Sequence, residues 1–259
     1  ATGHARPPPP PHRRHSPRPT RTQTPPIPAR LTRRYKRFLA DVVLEADGRD
    51  VVALCPKPGA MLGLADAGMR VWLEPNDDPK KKLKFGWRLV EMPDGQWAGI
   101  DTAVPNRVVR EALEARAVPA LAAYGTVRPE VKYGAASRVD FLLSEPGLPD
   151  VFVEVKNAHL RRNSDLCEFP DCVTARGAKH LEELSAMVAE GHRAVMLYLV
   201  QRTDCARFSL ARDLDPAYGA AFDRARTAGV EAICHGTTIS REGVEFGDPL
   251  PIEAGELRN

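Results

Sequence analysis

A chain of 259 residues, 43% hydrophobic and 27% charged, has apolar mass enough for one large or two modest packed domains, which excludes a wholly disordered protein. It contains no apolar run of about 18 residues that could form a membrane-spanning helix, and its start lacks the apolar centre of a secretory signal, so a cytoplasmic protein is expected. The net charge of +3 is unevenly spread: residues 1–37 hold nine arginines, one lysine and no acid, leaving the remainder net acidic.

Residues 1–30 form a Pro/Arg-rich segment with the run Pro7 to Pro11. It is expected to be disordered or polyproline-like, with residues 1–29 dispensable for folding. Such an arm either neutralises phosphates or only solubilises the chain. Its proline density argues against the amphipathic helix of an organelle transit peptide. Five cysteines, at 55, 167, 172, 205 and 234, are scattered and odd in number, which points to reduced thiols. Cys167 and Cys172 read as small loop residues.

Residues 31–102 carry β signals. Phe38 to Glu45 and Arg49 to Cys55 flank Asp47-Gly48, a hairpin turn. Met69 to Glu74, Phe85 to Glu91 and Gln96 to Asp101 follow, the last after Pro93-Asp94-Gly95. Five short strands suit a small barrel of the oligonucleotide-binding kind. Lys80, Lys81, Lys82, Lys84 and Arg88 lie beside Trp72, Phe85 and Trp87, a mixture suited to a nucleic-acid face. The alternative puts the aromatics in the core and the lysines on an exposed loop.

Residues 103–259 switch to an α/β pattern. Val108, Val109, Ala112 and Leu113 mark one face of a helix over 106–117. Strands are expected over 126–133, 137–143 and 151–157, then a helix over 175–190 stopped by Gly191. A strand over 193–201, a helix over 216–228 ended by Gly229 and a strand over 230–239 complete the order.

Two of these strands carry charges that burial disfavours. Asp140 lies in the run Arg138 to Leu143, and Glu154-Val155-Lys156 closes the apolar run that starts at Val151. The turn residues Glu145-Pro146-Gly147-Leu148-Pro149 make the two runs a hairpin. Glu154 and Lys156 share a strand face, so Asp140, Glu154 and Lys156 can converge. Two carboxylates beside an ammonium suit a hard cation such as Mg2+ or Mn2+ in phosphate chemistry, with the lysine orienting or helping deprotonate the attacking water. A Glu-x-Lys pair on a solvated strand face is the plain alternative. Arg138 is read as turned to the opposite face from Asp140, gripping phosphate across the sheet or pairing with a carboxylate. Lys179 and His180 sit near a helix start where an anion could be met, although a lone histidine is more often structural. Asp171 either approaches the same cleft or caps its turn.

The element order, with Asp140 on the second strand and Glu154-x-Lys156 on the third, resembles the restriction-endonuclease-like (PD-(D/E)XK) α/β core. That resemblance implies supporting roles for a helical glutamate, Glu111 or Glu114, and for a glutamine on the next strand, Gln201. Six blocks in one order narrow it: Arg34 to Val42, Cys55-Pro56 with Gly59-Ala60-Met61, Glu130 to Gly134, Ser137 to Leu143, Glu154 to Asn157, and Phe169 to Leu181. Together they resemble the bacterial sugar fermentation stimulation protein A family over about residues 30–253. Where that family usually has Asn-Thr-Gly, this chain has Lys57-Pro58-Gly59.

The family resemblance implies a barrel followed by a nuclease-like domain, sequence-nonspecific DNA binding and a regulatory link to maltose metabolism. DNA is then the expected partner, held by Lys80, Lys81, Lys82, Lys84, Arg88, Arg138 and Lys179. Metal-dependent cleavage through Asp140, Glu154 and Lys156 is a second expectation. A scaffold protein with a vestigial acidic site is the third.

Overall fold

The computed structural model describes residues 20–21, 24–134 and 136–253. The expectation for the Pro/Arg segment therefore falls largely on residues outside that description. Thr20–Arg21 forms a short strand, β1, paired antiparallel with Val244 and Gly243. The next strand, β2, spans Ile27–Tyr35 and already belongs to the barrel. The boundary at residue 30 thus moves back to Ile27, where β2 begins: Ala29 and Leu31 are buried in the barrel core, and Arg30 between them is exposed.

The barrel continues through β3 (Leu39–Leu44), β4 (Asp50–Leu54), β5 (Arg70–Pro75) and β6 (Phe85–Glu91). Antiparallel pairing runs in the order β4-β3-β2-β5-β6, and a parallel contact of Ala53 with Phe85 and Leu54 with Gly86 closes the ring. Closure removes the free edges that an open five-stranded sheet would expose. A sixth strand, β7 (Trp97–Gly99), extends from β6 outside the ring.

Helix α1 (Val104–Glu114) follows at once, starting two residues before the apolar pattern predicted because Pro105 fits the first turn of a helix. It ends at the Ala115 cap, and Arg116 then takes a left-handed φ of 54°. Strands β8 (Thr126–Tyr133), β9 (Ser137–Ser144) and β10 (Val151–Ala158) come next. β11 (Leu160–Asn163) and β12 (Leu166–Phe169) lead into α2 (Ala175–Ala189). β13 (Arg193–Val200), β14 (Arg207–Leu210), α3 (Pro216–Ala228), β15 (Glu231–Ser240), β16 (Gly243–Pro249) and β17 (Ile252–Glu253) complete the chain.

The main sheet has the order β1-β16-β15-β13-β10-β9-β8, with β10, β13 and β15 parallel at its centre. Val151, Val153 and Val155 pack on its α1 side, and Phe152, Met196 and Tyr198 belong to the core under α2 and α3. A central strand covered on both faces needs this near-continuous apolar run. A second sheet, β11-β12-β14-β17, was not anticipated. It takes Cys167 out of the expected loop and buries it in β12, while Cys172 stays exposed and all five thiols are free.

Candidate active site

The expected hairpin forms the centre of the site. β9 and β10 pair antiparallel at Val151 with Leu143, Phe152 with Leu142 and Val153 with Phe141. Beyond Val153 that ladder stops, and β10 continues beside β13 alone. Asp140 lies in the fork. Its Oδ2 accepts the Val155 N–H at 2.7 Å, replacing a lost ladder bond, and its Oδ1 accepts from Asn106 Nδ2 at 2.8 Å.

Glu154 stands across the fork, buried to 3% exposure. Its Oε1 lies 2.5 Å from His180 Nδ1 and 3.1 Å from Lys156 Nζ. Its Oε2 is buried with no hydrogen-bond partner among the described residues. Burial pushes the Glu154 carboxyl up, but the His180 hydrogen bond and the Lys156 charge outweigh it, and the group stays below the usual carboxylate range. Asp140 goes the other way: burial first, then the like charge of Glu154, raises it. The two neighbouring carboxylates are thus pushed in opposite directions, Asp140 up and Glu154 down.

An open cleft of about 480 Å3 lies over the pair, and its walls include Glu130, Arg138, Arg176, Lys179 and His180. Residues two apart on a strand lie on the same side, so Arg138 opens into this cleft with Asp140, correcting the expectation that it turns away. Arg138 is 58% exposed and 3.8 Å from Glu130; Lys179 is 56% exposed and 3.8 Å from Glu183. Lys156 is tucked between Glu154 and His180, 2.8 Å from the ring Nδ1.

Other expected residues fall elsewhere. Glu114 bonds to Arg110 at 2.8 Å on the exposed side of α1, two turns beyond Asn106, and Glu111 is more than a turn beyond it. The helical contribution is Asn106 instead. Gln201, fully buried, reaches the Asp101 carbonyl at 3.5 Å and Asn157 Oδ1 at 3.4 Å, at the seam between barrel and main sheet. Asp171 does not line the cleft; it pairs with Lys57 Nζ at 3.1 Å. The lysine of the divergent Lys57-Pro58-Gly59 loop therefore ties the barrel to the second domain.

On the barrel, Lys80, Lys81, Lys82 and Lys84 are exposed, and Lys84 donates to the Asp78 carbonyl at 2.8 Å. Arg88 is held by Glu74 at 2.8 Å and Asp101 at 2.9 Å, so its charge is already matched. Trp87 is fully buried and Trp72 is 7% exposed, which puts both in cores as the alternative reading had it, and Phe85 is partly buried against the barrel core. Asn106 and His180 are the residues the motif reading undervalued.

The donor set fits a hard dication. It offers two converging carboxylates, one with a buried oxygen that lacks any partner. Among the described residues, no group of three His, Cys, Asp or Glu side chains forms an all-protein cage. Two carboxylate ligands with the remaining positions left to water are a donor set that Mg2+ or Mn2+ accepts.

The family described as Sugar fermentation stimulation protein RE domain matches residues 103–243, and the SfsA N-terminal OB domain matches residues 32–100. This chain belongs to the sugar fermentation stimulation protein family. A homolog from Dinoroseobacter shibae is 69% identical over 90% of this chain and 96% of its own length. One from Jannaschia sp. is 66% identical over 90% of this chain and 97% of its own. Among solved structures, Pyrococcus furiosus SfsA, described as in complex with Ca2+, superposes with a TM-score of 0.79 at 25% identity, covering 90% of this chain and 98% of that one. The OB-barrel and following α/β domain are thus shared with that relative. No helix among the described residues is long and apolar enough to cross a membrane.

Proposed function

We propose that this protein binds DNA without sequence preference through the cleft over Asp140 and Glu154. The observation that carries the reading is the joining of opposite charges there: Arg138, Arg176 and Lys179 rim a cleft with two carboxylates at its floor. A phosphodiester fits the cationic rim, while the floor repels it unless a divalent cation stands between. The Ca2+ complex of the P. furiosus relative supports such a cation site in this chain. The N-terminal OB family match supports nucleic acid as the ligand class. A regulatory role in carbohydrate use is the physiological context that family membership supports.

The partnerless Glu154 Oε2 favours a second reading, metal-dependent phosphodiester cleavage. Asp140 and Glu154 would hold Mg2+ or Mn2+, which supplies Lewis-acid polarisation of a phosphoryl oxygen. Asn106 and the Val155 N–H fix the Asp140 carboxylate, and Arg138 and Lys179 orient the phosphate. Lys156 is the cation beside Glu154 that orders the attacking water once it turns to the cleft.

Binding and cleavage are separated by one experiment on single-stranded DNA, duplex DNA and RNA. Binding is measured by fluorescence anisotropy in Ca2+ or EDTA, and cleavage is followed in Mg2+ or Mn2+. Wild type is expected to bind more tightly in Ca2+ than in EDTA, with Glu154→Gln losing that gain. Cleavage that EDTA, Glu154→Gln and Lys156→Ala each abolish establishes the hydrolytic reading. Binding with equal background cleavage in all proteins leaves DNA binding alone, and no binding to any nucleic acid overturns both.

A further inference from the structure

We infer that His180 is a positioning residue that fixes which oxygen of Glu154 is offered to a divalent cation. The inference rests on the cation site proposed above. Both donors to Glu154 converge on Oε1, His180 Nδ1 at 2.5 Å and Lys156 Nζ at 3.1 Å, and Oε2 is left without a partner. A buried carboxylate oxygen is costly to leave unpaired, so the arrangement holds an acceptor open. His180 is itself held. Its ring is 6% exposed on the inner face of α2, and Arg176 Nε donates to its Nε2 at 3.4 Å. With Nε2 accepting, a ring hydrogen on Nδ1 is aimed at Glu154, and Lys156 Nζ, 2.8 Å from the same nitrogen, turns its own hydrogens to Glu154 Oε1 rather than to the ring.

Lys156 cannot give the same constraint. Its flexible stem and three equivalent donors let it follow the carboxylate, whereas the imidazole is one rigid donor fixed by a helix. The chain Arg176–His180–Glu154 therefore works as a metal site's outer support does: it orients the ligand and touches no cation. α2 carries both the exposed rim cations and this buried support, so one helix serves phosphate and carboxylate together.

The test is calorimetric titration of Mn2+ into the full chain, without nucleic acid. It compares wild type, Glu154→Gln, His180→Leu, His180→Asn and Arg176→Ala, each shown folded by its thermal melt. Leu and Asn have nearly the same shape, and only Asn keeps an N–H donor. His180→Leu is expected to weaken Mn2+ about 10- to 100-fold, the usual effect of losing an outer-shell partner, with Asn restoring most of the affinity. Arg176→Ala, at an exposed position, is expected to weaken Mn2+ about threefold and keeps the inference testable should both His180 variants unfold. Equal affinity in the Leu and Asn variants makes His180 a packing residue and overturns the inference, as does wild-type affinity in Arg176→Ala when the His180 variants do not fold. Wild-type affinity in Glu154→Gln overturns the cation site itself, whatever the His180 variants do.

Discussion

At the scale of single residues, a second buried histidine makes a different demand. His159 is 4% exposed, its Nε2 hydrogen-bonds the Gly99 carbonyl, and its Nδ1 has no partner. Burial, and then the nearby Lys57 charge, pull its pKa from 6.5 down to about 3. The folded protein thus holds it neutral, whereas the unfolded chain takes up a proton below about pH 6.5. A depressed native pKa means stability that is complete above 6.5 and is lost as pH falls from there towards 3. The slope is about 1.4 kcal/mol per pH unit. His159→Gln keeps an N–H donor for Gly99 and removes the titration. Between pH 7 and pH 5 the wild type should lose about 2 kcal/mol more than this variant in urea denaturation. Parallel pH profiles would show that folding leaves the His159 pKa unshifted.

At the scale of elements, the helix ends set the site. Asp215 caps α3 by accepting the Tyr218 N–H at 2.9 Å through Oδ1, and its Oδ2 accepts the Thr174 N–H at 2.8 Å. Thr174 in turn caps α2, accepting from the Gly177 N–H at 3.0 Å. One buried carboxylate therefore registers both helix starts, and α2 brings Arg176 and His180 to Glu154. Asp215→Ala should cost about 2 kcal/mol, the upper range for a lost cap, and weaken Mn2+ binding in the same protein. An unchanged urea midpoint would mean that packing alone sets the helices. Much of this was legible beforehand. Helices α2 and α3 followed from their apolar spacing and the glycines behind them, and the β9–β10 hairpin followed from its turn residues. His180 was legible in part, because it falls with Gly177, Leu181 and Leu184 on the inner face of the helix. Its partner was not, since contact with Glu154 depends on how α2 crosses the sheet. Strand β2 was hidden by arginines on its outward positions. β11, β12 and β14, of four residues each, are too short to show a period.

At the scale of the whole molecule, the barrel and the α/β unit share a core. Trp72 and Leu89 of the barrel pack with Val104, Val108 and Val109 of α1. Trp97 N–H donates to Thr203 Oγ1 at 2.8 Å, Ala98 bridges to Arg202, and Lys57 reaches Asp171. A junction this apolar and this well bonded opposes independent domain motion. Of the barrel aromatics that sequence patterning offered to nucleic acid, Trp72 is used at this junction and Trp87 in the barrel's own core, which leaves Phe85, partly buried, beside the loop lysines. The proposed DNA contact can be assigned to the cleft or to the barrel loop by experiment. Salt dependence can decide between the two surfaces, because each duplex phosphate neutralised adds about 0.9 to the slope of log affinity against log salt. Removing Arg138 and Lys179 together, both as alanine, should reduce that slope by about two and weaken binding across sequences alike. Replacing Lys80, Lys81 and Lys82 together should change it by less than one. The reverse pattern would move the DNA to the barrel loop and leave the cleft to a smaller phosphate ligand.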